Sequence, residues 1–301
     1  IWSIEMTDHL HSFLDDEFLK KLEKLKVIAR KSTRNSRRGE HRSWQSGEGL
    51  EFLDYRKYHT GDDLRYVDWS VYGRLDKLFV KLFHAEKGQT AHLLLDTSMS
   101  MGTGNPSKDI TAKKIAAAIS YICLSNLDKT GLMAFADKIV AIKTPARGKQ
   151  QYPEVLKFFL SLSPFDLTNL NGCLAEYASI CRNSGIAIII SDFLDPKGYE
   201  DGLKALAYRD FDINLIQVMS REELFWSKTG NLMLNEVETA EKKVIFVDKR
   251  LLALYQNKID GFISKIKRYC SHCGINYFLC DTGVHFEDLL TEYLSKGSLF
   301  R

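Results

Sequence analysis

Asp96-Thr97-Ser98-Met99-Ser100 sets oxygen-bearing side chains at alternate positions, one carboxylate followed by two hydroxyls. Carboxylates and hydroxyls are hard donors, suited to Mg2+, Mn2+ or Ca2+ rather than to zinc. The string alone is weak, because serines after a strand also cap the helix that follows. Its placement strengthens it. Ala91-His92-Leu93-Leu94-Leu95 runs directly into it and is almost wholly apolar, the mark of a strand buried on both faces. Asp192 closes a second such run, Ile186-Ala187-Ile188-Ile189-Ile190-Ser191. Adjacent parallel strands would bring it near Asp96; the plainer role for Asp192 is a helix cap.

Such a pair suggests two kinds of chemistry. A cation that keeps one coordination position open accepts an Asp or Glu carboxylate from a partner protein, which acts as a binding hot spot once water is excluded. Alternatively, Asp96 and Asp192 with Mg2+ form a metal-assisted hydrolase. No His or Glu sits close to the motif in sequence to act as a base. Gly102-Thr103-Gly104-Asn105-Pro106-Ser107-Lys108 lacks the closing Gly-Lys-Ser/Thr of a phosphate-binding loop, and neither G-x-S-x-G nor H-E-x-x-H occurs. A binding module, not an enzyme, is expected. Cys270-Ser271-His272-Cys273, with Cys280 beyond, is half of a zinc site that no second pair completes. The six cysteines read as reduced, mostly buried thiols, which favours a cytoplasmic setting.

The elements that must position these residues follow from periodicity. A helix of about 18 residues, with Ile115, Ile119 and Ile122 on one face, follows the first buried strand. Leu132–Phe135 and Ile139–Ile142 read as strands joined at Asp137-Lys138, with helices near 150–162 and 170–183. Ile213–Val218 is a third buried strand, 231–248 a hairpin, and Leu252, Tyr255, Ile259, Phe262 and Ile266 mark a long helix. Ile275–Leu279 is a last strand before a helix bearing Phe286, Leu289, Leu290 and Tyr293. Strands alternating with amphipathic helices predict an α/β fold, a doubly wound, mostly parallel sheet with helices on both faces. Ligands of such folds bind beyond the carboxyl ends of the strands.

Upstream, Leu10, Leu14, Phe18, Leu22 and Leu25 predict an amphipathic helix over roughly 8–30. The basic stretch from Lys26 to Arg42 reads as a solvated connection. Its alternative is a nucleic-acid contact, with Trp44 stacking on a base. The net charge of +3 does not by itself call for a nucleic-acid or membrane partner. No apolar run has the length of a membrane span, and the N-terminal residues show no signal-peptide pattern. Residues 49–90 are aromatic-rich and fit short strands; Arg56, Arg65 and Arg74, alternating with Asp54, Asp62, Asp63 and Asp68, suit directional ion pairs that pin a small unit onto the main domain, with a second docking surface as the alternative.

Asp96-Thr97-Ser98-Met99-Ser100 resembles the metal-ion-dependent adhesion site of von Willebrand factor A domains. In that site two serines and a distant threonine contact the ion, while two aspartates act largely through water. The resemblance implies Ser98 and Ser100 as the serines, Asp96 and Asp192 as the aspartates, and Thr168 in Asp166-Leu167-Thr168-Asn169-Leu170 as the threonine. Gly49-Leu50-Glu51-Phe52, Asp54-Tyr55-Arg56-Lys57-Tyr58, Gly61-Asp62-Asp63-Leu64-Arg65-Tyr66-Val67-Asp68-Trp69 and Gly73-Arg74 resemble the signature of the bacterial "domain of unknown function 58" family. That resemblance implies a strand-containing unit directly before a von Willebrand factor A-like domain, and a MoxR-type AAA+ ATPase as associate. The expected organisation is 1–46 helix and basic connection, 47–89 signature segment, and 90–301 von Willebrand factor A-like domain with a hairpin insertion near 231–248.

Overall fold

The computed structural model describes residues 51–84, 90–126, 128–235 and 242–295. The helix expected over 8–30, the basic stretch to Arg42 and Trp44 lie outside them. The described residues fall into two compact units, divided between His84 and Thr90.

In the smaller unit, strands β1 (Glu51–Lys57) and β2 (Phe79–His84) pair antiparallel. Short strands alone were expected here; between them the chain also forms a helix, α1 (Trp69–Leu75). Asp68 explains it. One carboxylate oxygen caps the helix by accepting from the Ser70 and Val71 amides at 2.9 and 3.2 Å. The other accepts from Tyr55 Oη of β1 at 2.8 Å, with Lys81 Nζ of β2 at 3.1 Å. The Tyr55 hydrogen bond, then that of Lys81, hold this carboxyl down at about 2. Arg56 pairs with Asp62 at 2.8 Å and Arg65 with Asp63 at 2.7 Å. Arg56, Arg65 and Asp68 of the signature thus close their ion pairs inside their own unit.

The larger unit runs β3 (Thr90–Asp96), α2 (Lys108–Ser125), β4 (Lys129–Phe135), β5 (Ile139–Arg147), α3 (Tyr152–Leu160), α4 (Leu170–Ile180), β6 (Ile186–Ser191), α5 (Glu200–Tyr208), β7 (Asp212–Met219), α6 (Arg221–Leu224), β8 (Gly230–Asn235), β9 (Lys242–Val247), α7 (Lys249–Cys273), β10 (Asn276–Asp281) and α8 (Phe286–Ser295). Six strands make one sheet in the order β10-β7-β6-β3-β4-β5, all parallel except β5, which runs antiparallel along its edge. β8 and β9 form a separate two-stranded hairpin.

Alternation along β3 shows why the sheet is covered twice. Leu93 and Leu95 pack with Ile115 and Ile119 of α2 and Phe159 of α3. Leu94 packs with Leu174 and Tyr177 of α4, Leu203 of α5 and Ile266 of α7. Burying each such leucine contributes about 1.5–3 kcal/mol, so β3 cannot present either face to water. This is the expected doubly wound, mostly parallel sheet with helices on both faces. α4 stops three residues short of the expected position because Cys181 turns extended and its carbonyl accepts from Arg209 Nη2 at 3.0 Å. No described helix is long and apolar enough to cross a membrane.

The 25-residue α7 starts at Asp248, whose Oδ1 accepts from the Leu251 amide at 2.7 Å. Asp248→Ala should lower stability by about 1 kcal/mol, read as a lower urea midpoint. An unchanged midpoint would mean that this helix start needs no cap.

Candidate functional site

The direction of winding reverses at β3. The chain moves outward through β4 and β5, then returns to lay β6 against the other side of β3 and continues outward through β7 and β10. At such a switch point the loops leaving adjacent strands diverge and open a crevice at the carboxyl edge. Leu95 stands opposite Ile190, so Asp96 ends its strand beside Ser191 and Asp192.

Asp96 is fully buried. Its Oδ1 accepts from the Ser98 amide at 2.8 Å, the turn an aspartate makes with its own backbone two residues on. Its Oδ2 accepts from Ser191 Oγ at 2.6 Å. Among the described residues no Lys, Arg or His pairs with it, and burial, then the charge of Asp192, push its carboxyl up to about 7. Ser98 Oγ lies 3.2 Å from Ser100 Oγ. The loop that carries Thr168 is fastened beside this turn: the Phe165 amide donates to the Thr97 carbonyl and the Met99 amide to the Asp166 carbonyl, both at 2.9 Å. Thr168 itself is buried in that loop. Asp96, Ser98, Ser100 and Asp192 therefore share one edge of the sheet, with the Thr168 loop hydrogen-bonded to the same turn.

Asp192, also fully buried, accepts from the Leu194 amide at 3.0 Å and from Lys108 Nζ at 2.7 Å. The same ammonium donates to Glu223 Oε1 at 2.7 Å. The Lys108 side chain is 0% exposed. Burial acts to lower its pKa, but the charges of Asp192 and Glu223 outweigh burial and raise it. Glu223 belongs to a capping box with Ser220 at the start of α6, just beyond β7. Gly104, at φ +93°, lets the loop before Lys108 press on this cap; a Cβ there would stand 2.6 Å from Ser220 Cβ.

Sequence reasoning did not single out Lys108, Ser191 or Glu223. Ser191 was within reach, since it precedes Asp192 at the end of a buried strand. Glu223 carried the signal Ser-x-x-Glu after the third buried strand. Lys108 entered the sequence reading only as the end of a stretch that lacks the closing Gly-Lys-Ser/Thr of a phosphate-binding loop.

Among the described residues no group of three or more His, Cys, Asp or Glu is placed to hold a metal ion. A cation at this edge would draw on hydroxyls. Asp96 fits one, being a buried carboxylate whose hydrogen-bond donors are neutral and whose charged neighbour is another acid. The paired Ser98 and Ser100 hydroxyls supply the hard oxygens such an ion takes. Asp192 fits less simply, because an ammonium already holds it. Of the expected zinc half-site, Cys270 is buried and Cys273 exposed on the last turn of α7.

Four apolar side chains near these residues in sequence face solvent: Met99, Phe165, Leu167 and Leu194 are 38, 37, 50 and 39% exposed. They come from the same three loops that carry the candidate residues.

The chain is 25% identical over 242 residues to the uncharacterized protein Rv1480 of Mycobacterium tuberculosis, covering 78% of this chain and 71% of that one. The same figures hold for the uncharacterized protein Mb1516 of Mycobacterium bovis. Among solved structures, the conserved hypothetical protein BatB from Bacteroides thetaiotaomicron is similar with a TM-score of 0.44 and 18% identity, over 70% of this chain and 99% of that one. Residues 54–259, which span the signature unit, the strand-end site and the hairpin, match the family model described as "Protein of unknown function DUF58", and the chain belongs to that family.

Proposed function

We propose that this chain is a non-catalytic protein-binding module that grips a partner at the carboxyl edge of its sheet. The observation that carries the reading is that exposed Met99, Phe165, Leu167 and Leu194 sit on the same loops as the buried polar residues Asp96, Thr168 and Asp192. Soluble surfaces that place apolar side chains near a polar anchor suit protein contacts, because the apolar groups exclude water and strengthen the charge interaction beside them. Ser98, Ser100 and Thr168 are the proposed hydroxyl ligands of a divalent cation, Mg2+, Mn2+ or Ca2+, with Asp96 and Asp192 as the supporting carboxylates. Bound there, the ion supplies an open position for an Asp or Glu of the partner. Family resemblance supports a MoxR-type AAA+ ATPase as the associate, with the chain acting as its adaptor in assembling or remodelling client proteins.

The test is capture of a co-expressed MoxR-type ATPase by the full chain, with and without chelator. Leu167→Asp should reduce capture at least ten-fold, about 1.4 kcal/mol, without shifting the melting temperature. Thr168→Val removes one oxygen at nearly constant shape and should weaken capture, whereas Thr168→Ser should retain most of it. Thr144→Val, on the exposed face of the edge strand β5, is the control. Capture by Leu167→Asp equal to the parent's would remove the exposed Leu167 from the interface. Equal capture by Thr168→Val would remove Thr168 from the site.

A further inference from the structure

Lys108 is the feature that the proposed site does not use. A lysine side chain with no exposed surface is rare unless paired, and this one holds two carboxylates at 2.7 Å each, Asp192 and Glu223. Its position is fixed from both ends. The Lys108 amide donates to the Thr103 carbonyl at 3.0 Å at the start of α2, and Gly104 wedges the preceding loop against Ser220. The ammonium therefore stands beside one of the two acids that would support a divalent cation, and it contributes positive charge there.

We propose that the Lys108 ammonium is a tethered counter-cation that a divalent ion displaces from Asp192, with Glu223 as the anchor to which it retreats. This rests on the ion reading above and adds the element that sets its affinity. The geometry supplies both parts of the exchange. An ammonium on a four-carbon stem has three rotatable donors, so it gives up one carboxylate without losing the other. Glu223 is 23% exposed against 0% for Asp192, so it tolerates carrying the pair alone. Glu223 Oε2 also accepts from the Ser220 amide at 2.9 Å, which keeps the anchor in place when Asp192 changes partner. Without an ion the site holds its own positive charge; with one, that charge moves away from the edge.

Binding of Mn2+ alone to the full chain, measured by calorimetry, tests this. Lys108→Met should bind Mn2+ at least ten-fold more tightly than the parent, because the competitor is gone. Glu223→Gln keeps an acceptor for the cap of α6 but weakens the retreat, and should bind at least three-fold more weakly. In the Lys108→Met background the Glu223→Gln change should have no effect, since Glu223 acts through the ammonium. A general charge effect would make Glu223→Gln equally harmful in both backgrounds, and that result overturns the exchange. Equal affinity of Lys108→Met and the parent also overturns it while leaving the ion reading intact. No Mn2+ binding by any of these proteins overturns both. Should Lys108→Met fail to fold, Lys108→Gln takes its place in both comparisons, and unchanged binding by Glu223→Gln in the parent overturns the exchange alone.

Discussion

In chelator, Lys108→Met should unfold at a urea midpoint that reports a loss of about 3–5 kcal/mol, the typical cost of removing one partner of a buried ion pair. The side chains of Lys108 and Asp192 are both 0% exposed, so water cannot take the place of the missing ammonium. The loss is a penalty for the stranded carboxylate, not the net worth of the pair. Asp192→Asn in the same background should recover a large part of it, with a coupling above about 1 kcal/mol in the double-mutant cycle. A Lys108→Met chain within about 1 kcal/mol of the parent would show that Asp192 does not depend on the ammonium.

The second large effect belongs to His92, at the opposite end of β3 from the site. Its ring is buried between Tyr177 and Phe211, and Nδ1 lies 2.8 Å from Tyr177 Oη. Burial pushes its pKa down to about 4, against the partial counter-effect of the Asn183 backbone. Between that value and the ordinary 6.5 the unfolded chain binds a proton that the folded chain refuses. Stability from this group is thus complete above pH 6.5 and is lost as pH falls toward 4, by roughly 3 kcal/mol in all. Asp96 works in the other direction. Its carboxyl is raised to about 7, so the folded chain holds a proton that the unfolded chain has released, and stability falls as pH rises through the same window. The two slopes oppose each other, and the total curve hides both. The difference between the parent and His92→Phe isolates one: relative to the variant, the parent should lose roughly 3 kcal/mol between pH 7.5 and 4. A difference that stays constant with pH would mean His92 is protonated in the folded state.

The fold was legible because buried parallel strands are nearly pure runs of aliphatic residues. Leu93-Leu94-Leu95 and Ile188-Ile189-Ile190 have no other comfortable environment, and the polar residues that end them mark the edge of the sheet. The Asp68-centred helix was missed because Trp69–Leu75 is too short to display a helical period; the cap that starts it depends on contacts to β1 and β2, distant in sequence. The site was legible only in part. Its hydroxyls sit in one short string, and Asp192 ends a strand whose burial shows in its composition. Lys108 gave no comparable signal, and the Ser-x-x-Glu signal at Glu223 marks a helix start and not a partner for a lysine. A lysine at a helix start reads as a solvated side chain, and nothing local says that a carboxylate 84 residues away and another 115 residues away will enclose it.

Those separations have a consequence in time. The Ser191–Asp96 hydrogen bond joins residues 95 apart in the chain, across the point where the sheet reverses its direction of growth. During synthesis at about 5–20 residues per second, Asp96 leaves the ribosome roughly 5–20 s before its hydroxyl partner. Through that interval the nascent half has a carboxylate, two serines and an ammonium with none of the β6 groups that organise them. No fragment ending before β6 can contain the site, however well its own strands pair. The edge gains its second carboxylate only when Ser191 and Asp192 are made, so a chain stalled or cut before β6 carries only half of the proposed site.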